Sequence, residues 1–532
     1  MMAVSLELHD IQGIVARGYS TLTSACFLLL AIADPDAARP ALDRVAQRAT
    51  DGRAEPAEAA VNLAFTAEGL RRLGLRTTGA TAATGFSREF LDGMTEPNRS
   101  RLLGDTGENA PHRWRWGGPD TPPVHVLVLL YARDERRLDR LETQVREELT
   151  GGGALSEVLR LGTAELTDRE PFGFRDGISQ PLIEGLPKAE GSDRSVKAGE
   201  FVLGYPNEYG LLTDRPLLPA VADPGGLLPR APERDGDGGG NEDGGGSGDG
   251  DGGEGDLGLA DLGRNGSYLV LRQLHQDVPA FRAYLDAVTR RPDGSPDPEA
   301  RDALAARMVG RWPSGAPLVR APDHDDPGLA DANDFGYFAT DPEGLRCPLG
   351  AHVRRAHPRD SLDPDPGSAR SEAIGRRHRL LRRGRAYGPE GAGDGGPGGD
   401  GEADGGSDRG AEGDGGPDGG GASGLHFVCL SANLSRQFEF VQHTWLNNPA
   451  FNGLLDGPCP LVGPRQDHRS TFTVQARPVR TRYRDLPQFV TVRGGAYFFL
   501  PGLRALRYLC AGPRGRADTP RAAPPDIDYR RK

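Results

Sequence analysis

The chain has 532 residues, 26% of them charged and 6% aromatic, and a formal net charge of −12. That length leaves room for two or three domains, and the acidic balance argues against a nucleic-acid partner. The acidity is concentrated: Asp235–Asp256 holds eight acids and no base, Pro389–Gly424 holds nine acids and one base, and without them the rest carries about +4.

From the N-terminus there is no basic leader, twin arginine or A-x-A site, and the apolar run "ACFLLLAIA" is too short to span a bilayer. The pattern predicts a strand at "SACFLLLAI", then a helix from Asp34 with Pro35 in its first turn. Next come a strand at "AAVNLAFT", short helices at "AEGLRRLGL" and "SREFLDGM", a strand at "VHVLVLLYA" and an amphipathic helix through "DERRLDRLETQVREEL". A second half repeats the alternation. It has a strand at "SYLVLRQL", helices from Asp277 and at "DPEARDALAARMVG", a strand at "LHFVCLSANL" and a helix at "SRQFEFVQHTWL". It closes on "QFVTVRGGAYFFL", where Gly494–Gly495 suits a hairpin turn. Hairpins among the alternating elements favour an α+β fold, with helices packed on antiparallel sheets, over a doubly wound parallel sheet.

The Gly/Asp tracts cannot bury enough apolar surface to offset ordering entropy, so both read as disordered insertions. The chain then divides into residues 1–225, a linker at 226–262, a second domain at 263–515 interrupted at 389–424, and a tail at 516–532. Cys26, Cys347, Cys429, Cys459 and Cys510 are odd in number, far apart and without a C-x-x-C. They make neither a disulfide framework nor a zinc site and read as small buried hydrophobes of a cytoplasmic protein. No G-x-G-x-x-G opens a helix and no G-x-x-x-x-G-K-S/T occurs, so nucleotide cofactors have no support.

Four segments could carry chemistry. In "EPFGFRDGISQP", Gly173 and Gly177 bracket Asp176 and would let the backbone turn sharply around one carboxylate; the bland alternative is an Asp capping its own turn. In "RCPLGAHVRRAHPRD", His352 follows an apolar stretch and could present a neutral imidazole to a metal, or be a core histidine bonded to a carbonyl. His357, between Ala and Pro with arginines nearby, reads as a surface residue. "RRHRLLRRGRAYG" is either a solvated basic loop or the source of an arginine aimed at an anion. In "SANLSRQFEFVQHTW", the aromatic residues read as core, and Glu439 reads as an exposed Glu at a different azimuth.

Taken in order, "EPFGFRDGISQP", "RCPLGAHVRRAHPR", "LLRRGRAYG", "SANLSRQFEFVQHTW" and "FVTVRGGAYFFLPGL" resemble the dye-decolourising haem peroxidases, the larger branch with long insertions. "DIQGIVARGY" is similar to that branch's opening segment. The resemblance implies two ferredoxin-like α+β domains with haem b held mainly by the second. It implies His352 as the iron ligand, with Glu439 as the candidate partner of its second ring nitrogen. Asp176 and Arg382 match the distal acid/base and cation, with Gly177 and Ile178 beside the cofactor. Arg382 is chosen over Arg383 as the first arginine after the two leucines. An Asp in that role predicts an acidic optimum, because carboxylates ordinarily titrate near ~4. For dyes too bulky to reach buried haem the resemblance implies a relay, with Tyr387 or Trp445 as candidates.

The expected activity is therefore oxidation of dyes and phenolic compounds by hydrogen peroxide. The expected protein is a monomer or small homo-oligomer with no nucleic-acid or membrane partner. The alternative is a haem carrier or porphyrin-modifying protein of the same fold.

Overall fold

The computed structural model describes residues 5–77, 82–190, 192, 194–231, 258–388, 422–465 and 470–511. The two acidic tracts, at 232–257 and 389–421, and the tail, at 512–532, lie outside the described residues, so the predicted disorder falls there too.

The first half runs β1 (Ser24–Ile32), α1 (Pro35–Ala46), β2 (Ala59–Phe65), β3 (Val126–Ala132), α2 (Glu135–Thr150) and β4 (Leu155–Gly162). Asp34 caps α1 as predicted, its carboxylate accepting from the N–H groups of Asp36 and Ala37. The strands pair antiparallel in the order β4-β1-β3-β2. The second half runs β5 (Ser267–Gln276), α3 (Val278–Val288), α4 (Pro298–Val309), α5 (His352–Ala356), β6 (Leu381–Arg382), β7 (Arg385–Tyr387), β8 (Gly424–Ser431) and β9 (Val490–Leu500). Its order is β9-β5-β8, with β6 and β7 both on the far edge of β8. Each half thus repeats the ferredoxin-like order, last strand, first, third, second. The halves join edge to edge where Phe65 of β2 pairs with Phe499 of β9, making one sheet of nine strands.

An antiparallel sheet often has one wet face, yet β1 is apolar nearly throughout because both its faces are covered. Cys26, Leu28 and Leu30 face α1, α2 and the last helix, α6 (Leu503–Ala511). Ala25, Phe27 and Leu29 face the opening segment around Ile11–Tyr19 and the loop residues Phe201 and Val202.

The predicted hairpin at Gly494–Gly495 does not form. Residues 490–500 are one strand that follows β5 along its length, with a register shift between Val492 and Gly494. The glycines serve close approach instead: a side chain at Gly494 would strike the Trp116 indole, and one at Gly495 would come 2.7 Å from the Met94 sulfur. The predicted helix at "SRQFEFVQHTWL" forms, but it is wound in the wider π register over Ser435–Glu439 and Val441–Asn447. Such windings gather at functional sites, and this one packs its second part against α5.

Candidate active site

Three segments converge at the edge of the second half. The first is residues 170–181. Gly173 and Gly177 have φ of 96° and 80°, which a residue with a Cβ adopts only under strain. Between them the Asp176 N–H donates to the Asp168 carbonyl at 2.9 Å, and its Oδ1 accepts from the Gly177 N–H at 2.6 Å. The carboxylate is half exposed, with Oδ2 free of protein partners among the described residues. Glu170 clamps the turn from inside: Oε1 accepts from the Phe174 N–H at 3.0 Å, and Oε2 from the Phe172 N–H at 3.1 Å and Gln276 Nε2 at 2.7 Å. Burial pushes the Glu170 carboxyl up to about 7 against those bonds, and the nearby Asp176 charge adds to the rise.

The second segment carries Arg382, on the short strand β6 opposite Cys429 of β8. Its N–H donates to Gln180 Oε1 at 3.1 Å, tying it to the first segment, and its Nη2 lies 3.5 Å from Asp176 Oδ1. Arg383 turns the other way and donates to the carbonyls of Ile14 and Val15. The basic stretch is therefore no solvated loop. Arg385 is also buried, on the carbonyls of Tyr19 and Leu22.

His352 opens α5. The next turn is anchored by two fully buried arginines. Arg354 donates to Asp341 Oδ2 at 2.9 Å and the Cys347 carbonyl at 2.7 Å. Arg355 donates to the carbonyls of Trp445, Asn448 and Gly457. The His352 ring is held by Cys459, whose Sγ lies 3.2 Å from Nδ1. Burial opposes charge on His352, but the Cys459 contact outweighs it and raises the imidazole. Arg379 ties the three segments together: its Nη1 lies 2.7 Å from the His357 ring and its Nη2 donates to the Ser179 carbonyl at 2.8 Å.

Glu439 is not the partner of His352. The π winding carries it toward the sheet, where it is buried on Tyr497 Oη at 2.8 Å and Arg99 Nη1 at 3.0 Å. It is not an exposed Glu either. His357, expected at the surface, is half-buried against Arg379 Nη1 at 2.7 Å, and burial followed by the charges of Arg379 and Arg359 keeps its ring neutral. Ile178 packs its Cδ1 toward Gly315, and space beside Gly177 is open. Tyr387 is half-buried, stacked on His426 with ring centroids 4.5 Å apart, while Trp445 is buried among His378, Phe440 and Phe451.

No family model matches the chain. Among curated proteins, it is 30% identical over 464 residues to a dye-decolorizing peroxidase of Exidia glandulosa, covering 84% of this chain and 75% of that one. It is 33% identical over 459 residues to a multifunctional dye peroxidase of an Amycolatopsis species, covering 84% and 82%. The chain belongs to the dye-decolourising peroxidases. A solved dye-decolorizing peroxidase in complex with 2,6-dimethoxyphenol superposes with a TM-score of 0.68 at 25% identity, covering 95% of this chain and 100% of that one. The protein is accordingly a peroxidase, an oxidoreductase, with the α+β fold of that family.

Of the residues gathered around these segments, the sequence singled out Asp176, Arg382 and His352. It gave no place there to Cys459, Glu170 or His357. Glu170 stands in the same short motif as Asp176, so its place beside the turn was visible. Nothing local marks Cys459, which meets His352 from 107 residues away.

Proposed function

We propose that the protein binds haem b between His352 and the Asp176–Arg382 pair and uses hydrogen peroxide to oxidise dyes and phenolic aromatics. The observation that carries this is the convergence of three segments far apart in sequence: Arg379 bridges the His357 ring and the Ser179 carbonyl, and Arg382 Nη2 lies 3.5 Å from Asp176 Oδ1. The residues fit the cofactor. Arg311, Arg359 and Arg379 cluster beside His357 with no carboxylate ion pair among the described residues, bonding instead to neutral acceptors such as Asn333 and Ser179. Burial and mutual repulsion push Arg379 down to about 9 and Arg311 to about 10. Uncompensated buried cations are costly, and the two propionates of haem b would neutralise them.

When bound, the haem supplies an iron that takes peroxide and stores oxidising equivalents. The protein's part is proton movement and charge. Asp176 Oδ2 has no protein partner among the described residues and can take a proton from peroxide and return it to the leaving oxygen, directly or through one water. Arg382, fixed through its backbone by Gln180, stabilises the negative charge that grows on that oxygen. Simple haem carriage would need neither group. Tyr387, half-buried on an edge strand, is the better relay for bulky dyes, since Trp445 lies wholly inside. The same reading assigns the haem to a second domain at residues 263–515, with 1–225 as the first. The five buried free thiols suit a reducing, cytoplasmic setting, and among the described residues no helix is long and apolar enough to cross a membrane.

The test is spectral. Protein expressed with haem should show a Soret band that changes on adding peroxide and returns on adding a dye or 2,6-dimethoxyphenol, with turnover best at acidic pH. A colourless product after haem supplementation, or a Soret band indifferent to peroxide, would refute the proposal.

A further inference from the structure

Ligand histidines usually give their second ring N–H to a carboxylate or a carbonyl. Here the atom in that position is sulfur. Cys459 is fully buried, and its Sγ is the hydrogen-bond partner of His352 Nδ1 among the described residues. The backbone that carries the thiol is tied down. Its own N–H donates to the Leu446 carbonyl at 2.8 Å, and its carbonyl accepts from the Gly463 N–H at 3.1 Å and from Arg465 Nη1 at 3.2 Å. Arg355, on the same helix as His352, ties the Cys459 loop to α5 through the Gly457 carbonyl. The arginine anchors on α5 and the backbone bonds around Cys459 therefore fix both partners of the contact.

An imidazole that commits Nε2 to a metal keeps its remaining proton on Nδ1, and a buried N–H needs an acceptor. A protonated thiol is a weak acceptor beside a carboxylate. It can hold the ring's orientation and tautomer while drawing the Nδ1 proton less strongly, which leaves the ring a poorer electron donor.

Resting on the haem reading above, we infer that Cys459 is the positioning residue of the iron ligand. It sets the rotation and tautomer of His352 and holds the iron's reduction potential above the value a carboxylate partner would set.

The test uses the full-length haem-loaded protein and two variants, Cys459→Asp and Cys459→Ala. Two quantities are read: the ferric/ferrous midpoint by spectroelectrochemistry, and the iron–histidine stretch of the ferrous form by resonance Raman. Cys459→Asp should lower the midpoint, changing the ferric-to-ferrous ratio at fixed potential at least tenfold, about 59 mV for one electron, and should raise the stretching frequency. Cys459→Ala removes the acceptor, so its midpoint should rise above wild type and its stretch should fall. If Cys459→Asp does not fold, the shift of Cys459→Ala against wild type decides alone. Variants matching wild type in both readouts, in a protein that does take up haem, overturn this inference and leave the haem reading intact. A wild-type protein that takes up no haem overturns both.

Discussion

The segments on the two sides of the site are held in opposite ways. Residues 346–360 are pinned from within: Arg354 and Arg355 are fully buried on carbonyls and Asp341, and Cys459 fixes the His352 ring. Residues 170–181 instead swing around two glycines in left-handed backbone and leave Asp176 half exposed, with one carboxylate oxygen uncommitted. The difference follows from the work proposed for each side. A metal ligand must not move, so its segment is dry and over-determined. A proton carrier must meet peroxide and water, so its segment is clamped by Glu170 and Gln180 on either side of a carboxylate that stays half exposed.

That contrast breaks most decisively at His352. His352→Ala should abolish stoichiometric haem uptake, followed by absorbance titration. Full uptake with an unchanged spectrum would put the ligand elsewhere. On the exposed side, Asp176→Asn and Arg382→Ala should each keep haem but slow peroxide cleavage about 10²–10⁴-fold in stopped-flow measurements. Arg383→Ala is their control. Its guanidinium serves the Ile14 and Val15 carbonyls, so it should cost stability and spare the peroxide step. The reverse pattern would reassign the two arginines.

Stability should separate the pinned segment from the hinged one. Arg354→Ala leaves Asp341 buried without its ion pair and should cost about 3–5 kcal/mol in denaturant unfolding. Arg175→Ala removes only exposed contacts to Asp168 and Asp331 and should cost under about 1 kcal/mol. Equal losses would mean that the two segments are held alike.

The effect confined to one pH window concerns Glu170. Its carboxyl is raised to about 7 from an ordinary 4.5, so the protonated form is favoured by folding. The stability it contributes is complete below about 4.5 and is lost as pH rises through about 7. Glu170→Gln is neutral throughout. Its melting temperature relative to wild type should therefore climb between pH 4.5 and 7, by up to about 3 kcal/mol in stability terms, less for the part of the group that water reaches. A flat difference across that window would show that Glu170 titrates normally.

Much of the fold could be read in advance because its signals are local. The nine-residue apolar run of β1, the Asp34 cap with Pro35, and the amphipathic pattern of α2 each specify an element without reference to the rest of the chain. The failures came where a local signal has two meanings. Gly494–Gly495 reads equally as a turn or as room for a neighbour, and only Trp116 and Met94, brought in from the first half, select the second meaning. Glu439 sits between two phenylalanines on a helix, and the azimuth expected of ordinary winding does not survive the π register. His357 and its arginines look polar in sequence, but the fold turns them inward on each other.

By itself, the sequence determined the elements, the α+β class and the residues whose chemistry suits a peroxidase: one histidine, one carboxylate between glycines and one arginine. Only the tertiary structure decided which groups touch. It set Cys459 rather than Glu439 on His352, Gln180 behind Arg382, and Glu170 beneath Asp176. The physical reason is range. Periodicity, capping and turn chemistry act over a few residues, whereas a hydrogen bond between partners 107 or 202 positions apart exists only once the packed sheet has brought their segments within about 3 Å.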